Sequence, residues 1–335
     1  MKQASLYSKH ENLILCHLCP HSCKIPEGKT GICGVRINKG GKLYSLVYGK
    51  PVAVHIDPVE KKPLFHFLPG EKALSIGTLG CNLKCLHCQN WDISQKRDLK
   101  EIESIKEVSP KEIVELAVKN KCRIIAYTYN EPTIFFEYMK DIAVLAKNKG
   151  IKNIIVSNGF TGKEALQEMV GFIDAANIDL KGFGDDFYKK TCSARLEPVL
   201  ETLKFLKKNN VWLEITNLII PTLNDEPKEI KEMCIWIKEN LGADVPLHFS
   251  AFHPDYKLAE LSSTPVETLN KAFDIAKKAG LNYVYLGNVF AGEKENTFCH
   301  SCGQLLIERA GFRVVKNILK NSRCPGCNSR IAGIF

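Results

Sequence analysis

The sequence predicts an α/β fold: a partial (β/α)6-type TIM-like barrel with small cysteine-rich extensions at both ends. Three observations predict it. Between about residue 72 and residue 290, short β-branched or apolar runs alternate with longer segments of helical period, the pattern of βα units around a parallel sheet. Polar side chains collect where those strands should end, as they do when strand C-termini face one shared pocket. The cysteines are grouped: eleven of fourteen fall into three clusters, one in the barrel segment and one in each flank.

The candidate strands span residues 73–78, 123–128, 153–157, 173–180, 212–219, 245–249 and 283–286. Helix starts between them are signalled locally. Ser109, Pro110 and Glu112 make an N-cap with proline at the first helical position, Thr161 with Glu164 resembles a capping box, and Thr264, Pro265 and Glu267 repeat the first pattern. Gly150 and Gly280 end helices that run straight into strands. The polar residues expected at the barrel mouth are Cys81, Asn130 with Glu131, Ser157 with Asn158, Asp179 with Lys181, Asn217, His248 with His253, and Asn288. Residues 1–70 are expected to form a four-cysteine metal module with a small β element over GKLYSLVYG and PVAVHIDPVEKKPLFHF. Residues 71–292 would be the barrel and residues 293–335 a cysteine knuckle.

Composition sets the remaining bounds. At 335 residues, 45% hydrophobic and 25% charged, the chain can build a large core, which excludes disordered, collagenous and coiled-coil classes. No apolar run reaches the ~18 residues of a spanning helix, and the first residues lack a signal-peptide core, so no membrane association and a cytoplasmic location are expected. In that reducing compartment, closely spaced cysteines are metal ligands rather than disulfides. The formal charge of +9 treats every cysteine as neutral. Two four-thiolate sites on divalent metals and a triplet on a 2+ cubane bring it to about +4. A nucleic-acid partner is thus weakly supported, since the lysines are spread along helix faces and no cluster of Arg with aromatic residues accompanies them.

The segment GTLGCNLKCLHCQNW sets Cys81, Cys85 and Cys88 in a Cys-x3-Cys-x2-Cys loop directly after the first barrel strand. Three thiolates can hold three corners of a cubane and leave the fourth iron without a protein ligand. Zinc completed by an outside ligand such as His87 is the alternative. Cys16, Cys19, Cys23 and Cys33 supply four thiolates in a turn-rich segment that suits either zinc or a closed iron–sulfur cluster. Cys299, Cys302, Cys324 and Cys327 form paired Cys-x2-Cys knuckles, for which zinc is expected.

The cysteine triplet and its strand-end companions resemble the radical S-adenosylmethionine (SAM) superfamily, with His87 in the place of the aromatic residue before the last cysteine. The resemblance implies a 4Fe-4S cluster on Cys81, Cys85 and Cys88 whose open iron chelates SAM. One electron then yields methionine and a 5′-deoxyadenosyl radical that abstracts hydrogen from a substrate. It also implies an external one-electron donor such as ferredoxin or flavodoxin. Tyr129-Asn130-Glu131-Pro132 is similar to the family's Gly-Gly-Glu-Pro segment around the SAM ammonium, with both glycines replaced. Ser157 and Asn158 resemble the polar pair near ribose and carboxylate, and Asp179-Leu180-Lys181 the Asp-x-Lys of glycyl-radical-enzyme activases. Residues 219–225 (IIPTLND) and the FSAFHPDYK segment, with His253 and Tyr256, fall where adenine or substrate contacts are expected.

With its two flanking cysteine modules, the whole chain resembles the radical SAM component of the AmmeMemoRadiSam system, a relative of pyruvate formate-lyase activating enzymes. That resemblance implies Memo-family and other proteins of the system as partners. The leading expectation is an oxidoreductase that abstracts hydrogen from an unknown substrate. The alternatives are glycyl-radical activation of a partner protein, radical modification of RNA, and a structural zinc-rich nucleic-acid-binding protein.

Overall fold

The computed structural model describes residues 1–11, 13–95 and 99–335. Its centre is one sheet of eight strands: β1 (Ala53–Pro58), β2 (Lys72–Gly77), β3 (Ile124–Tyr127), β4 (Lys152–Ser157), β5 (Ala175–Asp179), β6 (Trp212–Ile219), β7 (Leu247–Ala251) and β8 (Val284–Gly287). The strands neighbour one another in chain order; β2 to β8 are all parallel and β1 runs antiparallel to β2. A doubly wound sheet reverses its strand order, whereas unbroken sequential order belongs to a barrel. The expected partial barrel is therefore the observed fold, with β8 and β1 as its edges.

Helices α1 (Pro110–Lys119), α2 (Phe136–Lys147), α3 (Lys163–Met169), α4 (Glu197–Lys208), α5 (Pro227–Leu241) and α6 (Val266–Ala279) make the six crossovers. The Ser109 cap forms as expected: its hydroxyl accepts from the Glu112 amide at 3.3 Å while the Glu112 carboxylate accepts from the Ser109 amide at 2.7 Å. The other two cap expectations are corrected. Gly162 caps α3, and Thr161 pairs its hydroxyl with Thr133 at 2.9 Å. Pro265 caps α6, and the Thr264 hydroxyl donates to the Ile219 carbonyl at 2.6 Å, latching the following loop to β6.

The flanks also differ from expectation at one boundary. Residues 51–58 do not join the N-terminal module; most of them form β1, so the barrel sheet starts at Ala53, ahead of the expected boundary at residue 71. The module itself consists of two three-stranded antiparallel sheets. It shares the main apolar core with the barrel and is pinned to α2 by a buried ion pair. Arg36 Nη1 contacts Glu137 Oε2 at 2.9 Å, and the Ser5 amide donates to the same carboxylate at 2.8 Å. At the other end, Thr297–Phe298, Leu305–Ala310 and Arg313–Asn317 form an antiparallel sheet.

Between β1 and β2 the chain plugs the end of the barrel opposite the strand C-termini. Phe65 and His66 donate their amides to the buried Glu214 carboxylate at 3.0 and 2.8 Å, and His248 donates to it at 2.7 Å. Burial opposes charge on Glu214, yet His248, His66 and Trp212 together outweigh it and keep the carboxyl below its usual range. His66 is buried, with its ring against the Ala332 carbonyl at 2.6 Å and the Tyr285 hydroxyl at 2.6 Å. Burial drives its pKa from 6.5 down to about 4. The folded chain thus binds fewer protons than the unfolded chain between those values, so stability rises with pH there. Urea unfolding should show a contribution of about 3 kcal/mol, full above pH 6.5 and lost on acidification to pH 4, that a His66→Gln chain lacks.

Candidate active site

The parallel strands end around a cavity of about 670 Å³ that runs from the plug to the barrel mouth. Cys81, Cys85, His87 and Cys88 line it, directly beyond the end of β2. The loop is tightly fixed. Gly80, at φ +90°, sits where a Cβ would meet Val35 at 2.6 Å and the Cys33 carbonyl at 2.7 Å, so the backbone tolerates only glycine. Lys84 and Leu86 donate their amides to the carbonyls of Cys192 and Thr191 at 3.0 and 2.9 Å. Asn82 donates to the Phe160 carbonyl at 2.8 Å and accepts from Asn158 Nδ2 at 2.8 Å.

The three thiols differ in acidity. Burial, then Glu131 and Cys85, hold Cys81 well above the ordinary thiol range, and burial with the neighbouring Cys85 raises Cys88. Cys85 is lowered, first by a hydrogen bond from Cys192 and then, against burial, by Lys181. Cys192, on the turn that holds the loop, is raised by that same bond and stays a thiol. Nothing in the sequence marks this cysteine, which stands alone there. Metal loading has to displace protons from Cys81 and Cys88.

His87 is buried, and neither ring nitrogen has a hydrogen-bond partner. Burial, reinforced by Lys181, drops its pKa to about 3, so it is a neutral imidazole facing the cavity beside the thiols. An orphaned polar ring here fits a polar ligand in the cavity, because leaving it unmatched is unfavourable. Zinc held by the triplet and His87 is a poorer fit. The close group within 4.8 Å is Cys85, His87 and Cys192, which leaves out Cys81 and Cys88.

The structure brings together Asn130, Ser157, Asn158, Asp179 and Lys181 on the cavity wall. Lys181 Nζ and Asp179 Oδ2 are 2.7 Å apart. Burial works against charge on Lys181, but Asp179, Cys85 and Cys192 outweigh it and raise its pKa well above the lysine norm. The Asn130 side chain braces the end of β2 by donating to the Gly80 carbonyl at 2.7 Å.

Glu131 lies behind the wall, fully buried, and does not face the cavity. Its Oε1 accepts from the Thr133 amide at 2.9 Å and the Ser157 hydroxyl at 2.8 Å, and its Oε2 from the Asn158 amide at 2.8 Å. Its carboxylate shapes the end of β4. His253 is exposed and outside the cavity, where His248 stands instead. Tyr256 stacks on Trp91 with ring centres 5.5 Å apart. Asn217 points away from the cavity to the Leu180 carbonyl at 2.7 Å, while its neighbours Thr216 and Leu218 line it, as side-chain alternation on a strand requires.

In the C-terminal module, the sulfurs of Cys299, Cys302, Cys324 and Cys327 all lie within 4.8 Å of one another, an arrangement compatible with a metal ion. Cys16, Cys19, Cys23 and Cys33 converge in the N-terminal module, where the Cys16 amide donates to the Cys23 carbonyl at 3.0 Å and burial raises Cys33 to about 11. Among the described residues, no helix is long and apolar enough to cross a membrane.

A family model described as the Radical SAM superfamily matches residues 75–234. Over 334 residues, 99% of both chains, the protein is 47% identical to the uncharacterized protein MJ0808 of Methanocaldococcus jannaschii. It is 24% identical over 211 residues, 57% of this chain and 84% of the relative, to the pyruvate formate-lyase-activating enzyme of Clostridium pasteurianum. The crystal structure of Streptococcus suis SuiB bound to S-adenosylmethionine shares the fold, with a TM-score of 0.52 and 14% identity over 72% of this chain and 56% of that one. With its cysteine triplet at the end of the first parallel strand of a one-way barrel, the chain belongs to the radical SAM superfamily.

Proposed function

We propose that this enzyme binds SAM in the barrel cavity beside a cluster on Cys81, Cys85 and Cys88, and uses it to abstract hydrogen from a substrate. The observation that carries the reading is the convergence of three thiols with the unpartnered His87 ring on one cavity wall. When bound, a 4Fe-4S cluster with SAM on its open iron supplies one electron to the sulfonium and so a 5′-deoxyadenosyl radical. The chain's residues position the nucleotide. Asp179 and Lys181 present a carboxylate and an ammonium to its polar groups, Ser157 and Asn158 present a hydroxyl and an amide, and His87 offers a ring edge and face. The reading assigns zinc to the C-terminal four-cysteine site, a cytoplasmic location to the chain, and ferredoxin or flavodoxin as electron donor.

Anaerobic reconstitution followed by dithionite and SAM tests the proposal. 5′-Deoxyadenosine is expected from the wild-type chain and background levels from a Cys81→Ala/Cys85→Ala/Cys88→Ala chain; equal amounts from both would reject it. Cys192 gives a subtler readout. Its thiol hydrogen bond to Cys85 stabilises the more negative, reduced cluster. Cys192→Ala is expected to lower the midpoint potential by about 20–65 mV, the one-electron equivalent of ~0.5–1.5 kcal/mol. A redox titration followed by electron paramagnetic resonance measures it.

A second reading, activation of a partner protein by forming a glycyl radical within the AmmeMemoRadiSam system or outside it, is favoured by the likeness to an activating enzyme. Aromatic side chains near the mouth, Trp91 and Phe312, are partly exposed and suit a polypeptide. It predicts a radical signal on the partner; a signal confined to this chain would count against it.

A further inference from the structure

Cys16, Cys19, Cys23 and Cys33 lie outside the barrel, and each pair of these thiols interacts electrostatically. They converge on one place. Yet, among the described residues, no three of their sulfurs lie within 4.8 Å of one another, whereas the four of the C-terminal module do. The difference is chemical. Thiolates on one tetrahedral ion, each about 2.3 Å from it, stand about 3.8 Å apart. The C-terminal module approximates this, with 3.5 Å between Cys299 and Cys327 and 3.6 Å between Cys302 and Cys324. Thiolates of a polynuclear cluster bind different irons and must stand further apart. Cys81, Cys85 and Cys88 likewise form no group within 4.8 Å.

We propose that Cys16, Cys19, Cys23 and Cys33 hold a second iron–sulfur cluster, through which the barrel cluster receives its electron. The inference rests on the radical SAM reading of the barrel. Placement supports it. The Cys33 carbonyl and Val35 pack so closely on Gly80 that a Cβ there would come within 2.7 and 2.6 Å of them, and Gly80 immediately precedes Cys81. The His21 ring meets the Asn82 carbonyl at 2.8 Å. The two cysteine-bearing loops therefore touch.

Access is separate as well. Cys19 lines a surface cavity of about 630 Å³ beside Lys163 of α3 and Lys204 of α4, so a donor protein can reach this module without covering the barrel mouth. A low-potential one-electron carrier protein, a ferredoxin or flavodoxin, loses one electron to the N-terminal cluster. That cluster is reoxidised when the barrel cluster gains the electron; no bond is made or broken.

Iron, sulfide and zinc counted on the full wild-type chain after anaerobic reconstitution test the site without any variant having to fold. About eight irons and one zinc per chain are expected, and about four irons with two zincs would overturn the proposal. In the Cys81→Ala/Cys85→Ala/Cys88→Ala chain, about four irons and a reduced-cluster resonance signal should remain, and adding Cys19→Ala/Cys23→Ala should remove both. Iron that survives the added pair refutes the assignment.

The relay is read from the oxidation of a reduced flavodoxin, followed by flavin absorbance. Reduction of the barrel cluster in a Cys19→Ala/Cys23→Ala chain should be at least about tenfold slower than in wild type, and an unchanged rate overturns the relay. Failure of the barrel reading looks different: no 5′-deoxyadenosine, with the N-terminal irons in place.

Discussion

Glu131→Gln is expected to cut 5′-deoxyadenosine formation by about 100-fold and to destabilise the fold by ~2–4 kcal/mol. The carboxylate is fully buried and receives three donors, from Thr133, Ser157 and Asn158. A glutamine keeps one acceptor and turns an N–H toward another donor, so whichever way it flips, one buried amide loses its partner. Charge-assisted bonds of this kind contribute ~1.5–3 kcal/mol each, and an orphaned buried donor costs a further ~1–3 kcal/mol. The displacement reaches the chemistry through Asn158, whose side chain holds Asn82 and lies 3.8 Å from the Cys81 sulfur. Product assays normalised to iron content, with urea unfolding in parallel, measure both effects. A variant as active as wild type would show that the end of β4 does not position the cysteine loop.

Glu137→Ala should be the most destabilising single change among the buried ion pairs, by ~3–5 kcal/mol, because it strands a buried guanidinium. Arg36 and Glu137 expose 1% and 7% of their side chains, and they fasten the N-terminal module to α2. Losing one partner costs far more than losing both, since apolar side chains of similar volume avoid the desolvation of either charge. An Arg36→Met/Glu137→Leu chain is therefore expected to recover most of the stability in urea. If the double variant is as unstable as the single one, the pair contributes by packing and not by charge.

Much of the barrel was legible because its parallel strands are buried on both faces and read as uninterrupted apolar runs, as IIAY in β3 does. β1 escaped because AVHIDP is a half-exposed, antiparallel edge strand whose partner cannot be read from its own residues. The cap errors have a common cause. Thr161 and Thr264 carry cap-like spacing, but their hydroxyls are engaged by Thr133 and Ile219, distant in sequence.

At the site, residue type and strand-end position located Asp179, Lys181, Ser157 and the cysteine triplet at the cavity. They did not resolve orientation. Alternation along β6 would have chosen Thr216 over Asn217, whereas the burial of Glu131 depends on one donor from its own turn and two from the end of β4. Cys192 meets Cys85 only through the fold, so no local spacing marks it.

A sheet with two free margins is a sleeve slit along its length. Among the described residues no ladder joins β8 to β1; Phe65, His66 and Tyr285 interlock across the slit, and Arg309 fastens them by donating to the Phe65 carbonyl at 2.7 Å. The C-terminal tail adds backbone bonds at this seam: the Ile334 amide donates to the His66 carbonyl at 2.8 Å and the Leu68 amide to the Ile334 carbonyl at 2.6 Å. The two free margins are thus joined by side chains and the C-terminal tail in place of a sheet ladder.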